Sequence, residues 1–145
     1  MLDQVQQYLH LRGNFKLDVV FVCMDVEALE VPPRNHRFVQ GCPDKFDFGQ
    51  GRKLVFVGHD VANDIQLLKQ VGFDVLNMEG LQGQCDTKDM HQAWKGLDSG
   101  RSLESILQEL HIDYENLHNA GNDAAHTLQA LIGIAVQDLR DQGRA

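Results

Sequence analysis

The sequence has few cysteines and no long apolar run, and each absence excludes a class of protein. Its three cysteines are an odd number without Cys-x-x-Cys spacing, which excludes a disulfide framework and disfavours a zinc site. No apolar run approaches the ~20 residues of a membrane-spanning helix. The first residues also lack the basic and apolar regions of a secretory signal. We therefore expect an intracellular protein, cytoplasmic or nuclear, with no membrane partner.

Positive charge is also scarce. The formal net charge is −8, whereas a protein that binds nucleic acid usually has a basic surface. The exception is the stretch 34–53, which has five basic residues and only two acids. The basic residues are Arg34, Arg37, Lys45, Arg52 and Lys53. This stretch either contacts phosphates or is an ordinary solvated loop, and composition alone favours the loop.

The 145 residues are predicted to form one domain, residues 1–145, with a core from about residue 17 to about residue 139. Apolar strands alternate with amphipathic helices, which is typical of an α/β fold with a mostly parallel central sheet flanked by helices. The predicted strands are 17–24, 53–58 and 73–77, and the predicted helices are 2–11, 61–71, 102–110 and 123–139. Residues 28–53 are predicted to be a long irregular connection, because prolines and glycines interrupt them. Residues 79–100 are predicted to be polar and mostly irregular, with Trp94 anchoring a turn of helix.

Two acids stand one residue apart at the end of the first predicted strand. Because side chains alternate along a strand, Asp25 and Glu27 point to the same side. Two neighbouring carboxylates at the end of an apolar strand repel each other and lose solvation, so folding alone does not explain them. A divalent cation removes both costs, since hard cations prefer carboxylate oxygens.

Further acids stand where other predicted elements begin. Asp64 lies in the first turn of the helix that follows the second strand, and Asp123 begins the last helix, five residues after His118. Taken singly, both acids are explained as stabilisers of helix N-termini, and His118 as an ordinary loop histidine. Asp60 is the main alternative to Asp64 as a metal ligand. The joint occurrence of these residues with Asp25 favours a metal site.

Taken together, the motifs resemble those of the DEDDh family of 3′–5′ exonucleases. Asp25-Val-Glu27 matches the first motif, Asp-x-Glu. His59-Asp-Val-Ala-Asn-Asp64 is similar to the second, with Asp60 where the family has Asn, and His118-Asn-Ala-Gly-Asn-Asp123 matches the third. The stretch from Asn35 to Gly49 also resembles a fungal group of exonuclease-like domains, found in factors of messenger-RNA export and in an Argonaute-interacting nuclease of RNA silencing.

The resemblance implies a ribonuclease H-like fold and hydrolysis of phosphodiester bonds in RNA or single-stranded DNA. It further implies two ions, Mg²⁺ or Mn²⁺, bridged by Asp25 and held also by Glu27, Asp64 and Asp123. Two ions ~3.5–4 Å apart activate the attacking water and stabilise the leaving oxygen. His118 would take a proton from that water, which suits an imidazole. The basic residues from Arg34 to Lys53 would contact backbone phosphates.

The sequence departs from the family between the first and second motifs. Family members have two antiparallel strands and a helix there, but the stretch from Ala28 to the strand at Leu54 leaves no room for them. The first strand would then be a sheet edge, which must be covered or paired. This predicts a homodimer or a protein partner at that edge. It also favours an alternative function, a catalytically impaired nuclease-like module that binds nucleic acid or a protein.

Overall fold

The computed structural model describes residues 19–26 and 53–144. Three sequence predictions therefore lie outside the described residues: the helix 2–11, most of the irregular connection 28–53, and the deletion of a hairpin and helix after the first motif. Among the described residues, the fold is a parallel sheet with helices.

The sheet has three parallel strands in the order β1-β2-β3. They are β1 Val19–Cys23, β2 Lys53–Gly58 and β3 Leu81–Asp86. In the strand register Cys23 pairs with Val57, and Val57 with Cys85. The side chains of β2 from Leu54 onward are buried, as expected of a strand that is covered on both faces of a parallel sheet. Because the strands are parallel, their C-terminal ends lie along one border of the sheet, which we call the carboxyl edge. It is distinct from the side of β1 that is unpaired among the described strands.

The helices follow the strands, with one short 3₁₀ turn between α1 and β3. They are α1 Val61–Gln70, the 3₁₀ turn Val75–Asn77, α2 Thr87–Lys95, α3 Leu103–Glu109 and α4 Ala120–Asp141. The predicted α/β fold with a parallel sheet is thus confirmed. Ser102 caps α3 as predicted, since its hydroxyl accepts a hydrogen bond from the Ser105 amide at 3.2 Å.

The two faces of the sheet carry separate cores. On one face Val57 and Cys85 pack with α2, α3 and α4, which contribute Met90, Ile106 and Ile134. On the other face a smaller core packs α1 and the segment after it against β2. Its buried members are Phe56, Val61, Leu68 and Val75. The sheet is therefore sandwiched, and α1 and α4 lie on opposite sides of it.

Three local predictions were wrong. The strand predicted at 73–77 is a 3₁₀ turn, and the third strand is Leu81–Asp86. The segment 79–100, predicted to be mostly irregular, contains β3 and the nine-residue helix α2. The last helix begins at Ala120 and not at Asp123, because the Asn119 side chain caps it by accepting hydrogen bonds from the Gly121 and Asn122 amides.

Among residues 19–26 and 53–144, no helix combines the length and the apolar character that crossing a membrane requires.

Candidate functional site

Residues of the first and second sequence motifs lie at the carboxyl edge of the sheet. Asp25 follows β1 by two residues, His59 and Asp60 follow β2, and Asp86 ends β3. The ladder continues past β1, since the Met24 amide donates to the Val57 carbonyl at 3.3 Å. Ligand sites of open α/β sheets form at this edge. The arrangement therefore places acids from three strands along one border.

Asp64 reaches this border from the first turn of α1. Its side chain is 4% exposed, and its Oδ1 accepts a hydrogen bond from the Val26 amide at 3.1 Å. Burial, together with the charge of Asp25, raises the pKa of Asp64 to about 6, although the Val26 hydrogen bond opposes the rise. The hydrogen bond therefore ties Asp64 to the segment that carries Asp25, and a cation bound by Asp64 would relieve the cost of burying its charge.

Cys23 connects this pair of acids to α4. Burial, followed by the charge of Asp25, raises the pKa of the Cys23 thiol to about 12, with a smaller contribution from Asp64. A hydrogen bond with the backbone of Leu128 opposes the rise. Since Leu128 lies in α4 five residues after Asp123, the first turn of α4 lies on the same side of the sheet as the Cys23 side chain.

Asp123 organises the loop that carries His118. Both of its carboxylate oxygens accept from the His118 backbone amide, at 3.2 and 3.0 Å. His118 is exposed and its φ is 68°, in the left-handed region. Asn122 adds a hydrogen bond from its side chain to the Asn116 carbonyl, at 3.2 Å. The third motif is therefore a turn in which hydrogen bonds to Asp123 hold the backbone of His118.

Asp60 and His59 have other partners. Asp60 is exposed and forms an ion pair with Lys88, Nζ to Oδ2 at 3.2 Å, while Asp64 is the acid beside Asp25. The His59 Nδ1 lies 2.9 Å from the Thr87 hydroxyl, and burial lowers the pKa of His59. Asp64 is thus buried and hydrogen-bonded to Val26, whereas Asp60 is exposed and paired with Lys88.

The predicted phosphate-contacting residues do not meet these acids within the described part of the chain. Lys53 begins β2 and pairs with Val19, so it lies at the opposite edge of the sheet from Asp25. The other predicted site residues, namely Glu27, Arg34, Arg37, Lys45 and Arg52, lie outside the described residues.

The donor chemistry suits a hard divalent cation, because Asp25 and Asp64 offer carboxylates in a partly buried position. Within residues 19–26 and 53–144, no group of three or more His, Cys, Asp or Glu side chains is close enough to hold a metal ion. Of the four predicted ligands, Asp64 is hydrogen-bonded to the backbone of the residue that follows Asp25. Asp123 bonds to the His118 amide, and Glu27 lies beyond the described ranges.

Residues 50–134 match the family model described as the DNA polymerase III subunit epsilon-like, C-terminal domain, of the DEDDh type. The chain belongs to this family. The match contains the second and third motifs, from His59 to Asp64 and from His118 to Asp123. The predicted membership in the DEDDh exonuclease-like proteins is confirmed, and the parallel sheet with its flanking helices agrees with the ribonuclease H-like fold.

Two fungal proteins are similar to this DEDDh chain. One is "Uncharacterized protein YDR514C" of Saccharomyces cerevisiae, 31% identical over 102 residues, which are 60% of this chain and 21% of that protein. The other is "Uncharacterized nucleolar protein C2C4.08" of Schizosaccharomyces pombe, 30% identical over 123 residues, 68% of this chain and 49% of that protein. The chain therefore spans about a fifth and about half of these relatives.

Sequence reasoning missed the residues of β3 and α2 that border the site. Asp86 is 7% exposed, and Thr87 is fully buried at 0%. A signal was present, since Leu81, Gly83 and Cys85 alternate with two glutamines in the period of a strand. Asp86 also has the side chain of a helix N-cap, and it accepts a hydrogen bond from the Lys88 amide at 2.9 Å.

Proposed function

We propose that the chain is a metal-dependent 3′–5′ exonuclease that hydrolyses phosphodiester bonds of RNA or single-stranded DNA. One observation carries the proposal. In a DEDDh-family chain, the buried Asp64 accepts a hydrogen bond from the Val26 amide, the residue after Asp25, and its pKa is raised to about 6 by burial and, to a lesser extent, by the charge of Asp25. A buried carboxylate with a raised pKa at the carboxyl edge of an α/β sheet is a candidate for binding a cation or for catalysis.

Each motif residue has a distinct role in this proposal. Asp25, Glu27, Asp64 and Asp123 would hold two ions, Mg²⁺ or Mn²⁺. Ions bound there would supply a reactive water and would stabilise the leaving oxygen. His118 would take the proton from the attacking water, since its side chain is exposed and an imidazole can act as a general base. The hydrogen bonds from its amide to Asp123 hold the backbone from which the ring reaches the substrate.

The substrate is proposed to be single-stranded RNA or DNA, with phosphates contacted by Arg34, Arg37, Lys45 and Arg52. Lys53 is left out, because it lies at the start of β2, away from the acids. A relative whose name contains "nucleolar" favours RNA, because the nucleolus is rich in RNA, and it supports an intracellular location in the nucleus or cytoplasm. These statements concern the whole protein and stand as proposals, because the chain spans only part of its relatives.

The test of the activity is a 5′-labelled single-stranded oligonucleotide incubated with the purified chain and Mg²⁺ or Mn²⁺. We expect a ladder that shortens from the 3′ end and disappears with EDTA. The Asp25→Asn variant should be inactive. Asp74→Asn is the matched control, since Asp74 is exposed between α1 and the 3₁₀ turn, where its carboxylate accepts a hydrogen bond from the Asn77 side chain. If the wild type and Asp25→Asn degrade the oligonucleotide equally, the enzyme proposal is wrong.

A second candidate function is the catalytically impaired module that binds nucleic acid or a protein partner. Two observations favour it. Both carboxylate oxygens of Asp123 accept from the His118 amide. Within the described residues, no three possible metal ligands lie close enough together to hold an ion. Calorimetric titration with Mn²⁺ separates the two candidates. A folded chain that releases no heat with Mn²⁺ supports the module. Two bound ions, with one lost in Asp123→Ala, support the enzyme.

A homodimer or a protein partner at β1 is proposed as well. Among the described strands, β1 pairs only with β2, and an unpaired strand edge is a template for another strand. Sedimentation velocity over a hundredfold range of concentration should show a dimer if two copies pair there. A monomer at every concentration would remove the homodimer from consideration.

A further inference from the structure

Asp86 is a buried carboxylate that the proposed mechanism does not use. It ends β3 and is 7% exposed. Its Oδ1 accepts from the Asp60 amide at 3.0 Å and from the Lys88 amide at 2.9 Å, and its Oδ2 accepts from the Val61 amide at 2.9 Å. Three amides therefore donate to its two oxygens, so Asp86 serves the backbone of its own chain as a hydrogen-bond acceptor.

These amides belong to the starts of two helices. Lys88 lies in the first turn of α2, for which Asp86 is the ordinary N-cap. Asp60 and Val61 begin α1, whose own N-cap residue, Asp60, has a φ of 63° and makes no side-chain cap hydrogen bond. The first amides of a helix have no partner within the helix and need an external acceptor. Asp86 supplies that acceptor to α1 from a neighbouring strand.

The next residue of the same segment adds a second tie. The Thr87 hydroxyl donates to the Gly58 carbonyl at 3.3 Å and lies 2.9 Å from the His59 Nδ1. Each residue of the turn from β2 into α1 is thus contacted by this segment. Thr87 contacts Gly58 and His59, and Asp86 accepts from Asp60 and Val61. Asp64 stands in the first turn of α1, so its distance from Asp25 depends on how this turn is held.

We propose that Asp86 is a positioning residue of the candidate metal centre: its carboxylate fixes the start of α1 and thereby holds Asp64 beside Asp25. This inference rests on the proposed function. It assigns to Asp86 an effect on ion affinity that is transmitted through Asp64, with no contact to the ion or the substrate. Groups that orient metal ligands typically change the affinity for the metal by about 10–100-fold when they are replaced.

Asp86→Ser is the decisive variant. Serine remains a good N-cap for α2, but its side chain is too short to reach the amides of Asp60 and Val61. Asp86→Asn is the second variant, because it keeps the volume and removes one acceptor. We expect both to bind Mn²⁺ about tenfold more weakly in calorimetry. Amide hydrogen exchange should become faster at residues 60–64 while α2 stays protected.

The coupling to Asp64 is tested by a double-mutant cycle. In the Asp64→Asn background, Asp86→Ser should cause no further loss of Mn²⁺ affinity, because its effect passes through the missing carboxylate. Additive losses in the cycle would overturn the inference, as would wild-type Mn²⁺ affinity in a folded Asp86→Ser chain. If the wild type binds no Mn²⁺, the proposed function fails as well. If the wild type binds Mn²⁺ and only Asp86→Ser is without effect, the positioning role alone is wrong.

Discussion

The burial of Asp64 disfavours its charged form, which the proposed metal binding requires. The folded chain raises its pKa to about 6 from the ordinary value of 3.8, by burial and then by neighbouring acids. Between these values the folded state holds a proton that the unfolded state has released. The stability of the metal-free chain therefore falls as the pH rises from about 4 to about 6, and the loss persists at higher pH.

Replacing Asp64 by asparagine removes this loss. The amide oxygen can still accept from Val26, while the buried charge is gone. We expect Asp64→Asn in EDTA to raise the free energy of unfolding at pH 7.5 by about 1–3 kcal/mol, and by much less at pH 4. Urea unfolding at both pH values measures the difference, with Asp74→Asn as control. Mg²⁺ should stabilise the wild type more than it stabilises Asp64→Asn. An equal effect of Asp64→Asn at the two pH values would contradict the assigned cause.

At the scale of elements, the turn between β2 and α1 is sterically tight. A Cβ on Gly58 would lie 2.9 Å from the Val61 Cγ2 and 3.3 Å from its Cα, so α1 would have to shift. We expect Gly58→Ala to destabilise the fold by about 1–3 kcal/mol and to weaken Mn²⁺ binding. Gly83→Ala is the matched control in β3, since nothing lies within 4 Å of its added Cβ. Thermal unfolding and Mn²⁺ calorimetry of the two variants should therefore differ, and equal behaviour would refute the steric argument.

A second element-scale contact joins α2 to α3. His91 is 1% exposed, and its Nε2 lies 2.7 Å from the Glu109 Oε2. Lys95 pairs with the other oxygen of Glu109 at 2.5 Å and lowers its pKa, with His91 adding to the effect. Since the lowered pKa belongs to the folded state, the pair stabilises at neutral pH, and the contribution is lost as the pH falls through that pKa.

Removing Glu109 leaves the buried His91 without this partner. We expect Glu109→Ala to cost about 1–3 kcal/mol of unfolding free energy at pH 7, and less near pH 4. Glu79→Ala, at an exposed position before β3, should cost little at either pH. Chemical denaturation of both variants provides the measurement. Nuclease activity below the unfolding transition should stay near that of the wild type, because Glu109 lies in α3, away from the motif residues.

The elements also show what the sequence could predict. The bounds of β2 agree with the prediction, because an apolar run between a lysine and a glycine marks a buried strand. β3 was not predicted because glutamine and glycine interrupt its apolar pattern. α2 was not predicted because one of its buried residues is a histidine, His91. The burial of His91 depends on Glu109, a partner 18 residues later, and no local pattern reveals it.

The site was predictable to the same limited degree. Spacing favoured Asp64 over Asp60 as a ligand, which stays a prediction, and in the structure Asp64 is buried while Asp60 is exposed. Asp86 could not be assigned its contacts from the sequence, because its approach to the start of α1 depends on the parallel pairing of Gly58 with Asp86. Such pairing is a property of the assembled sheet. Motif spacing therefore identified acids at the carboxyl edge, and missed the acid that accepts hydrogen bonds from the first amides of α1.

The whole molecule carries a net charge of −8, which opposes the approach of a polyanion. Acids from all three strands concentrate negative charge at the carboxyl edge, where the substrate is proposed to bind. Divalent ions at Asp25 and Asp64 would reverse the local charge without changing the rest of the surface. At this scale, metal binding and nucleic-acid binding are expected to be coupled and not independent.

This coupling can be measured with a variant that retains the carboxylates and lacks the proposed proton acceptor, His118→Ala. Fluorescence anisotropy of a labelled single-stranded oligonucleotide should give a Kd at least about tenfold lower in Mg²⁺ than in EDTA at matched ionic strength, since the ion cancels repulsion at short range. In the double variant His118→Ala/Asp64→Asn, the Kd should be nearly the same in both buffers. Equal and tight binding of His118→Ala in EDTA would show that phosphate contacts away from the acids dominate. That outcome would favour the binding module over the metal-dependent nuclease.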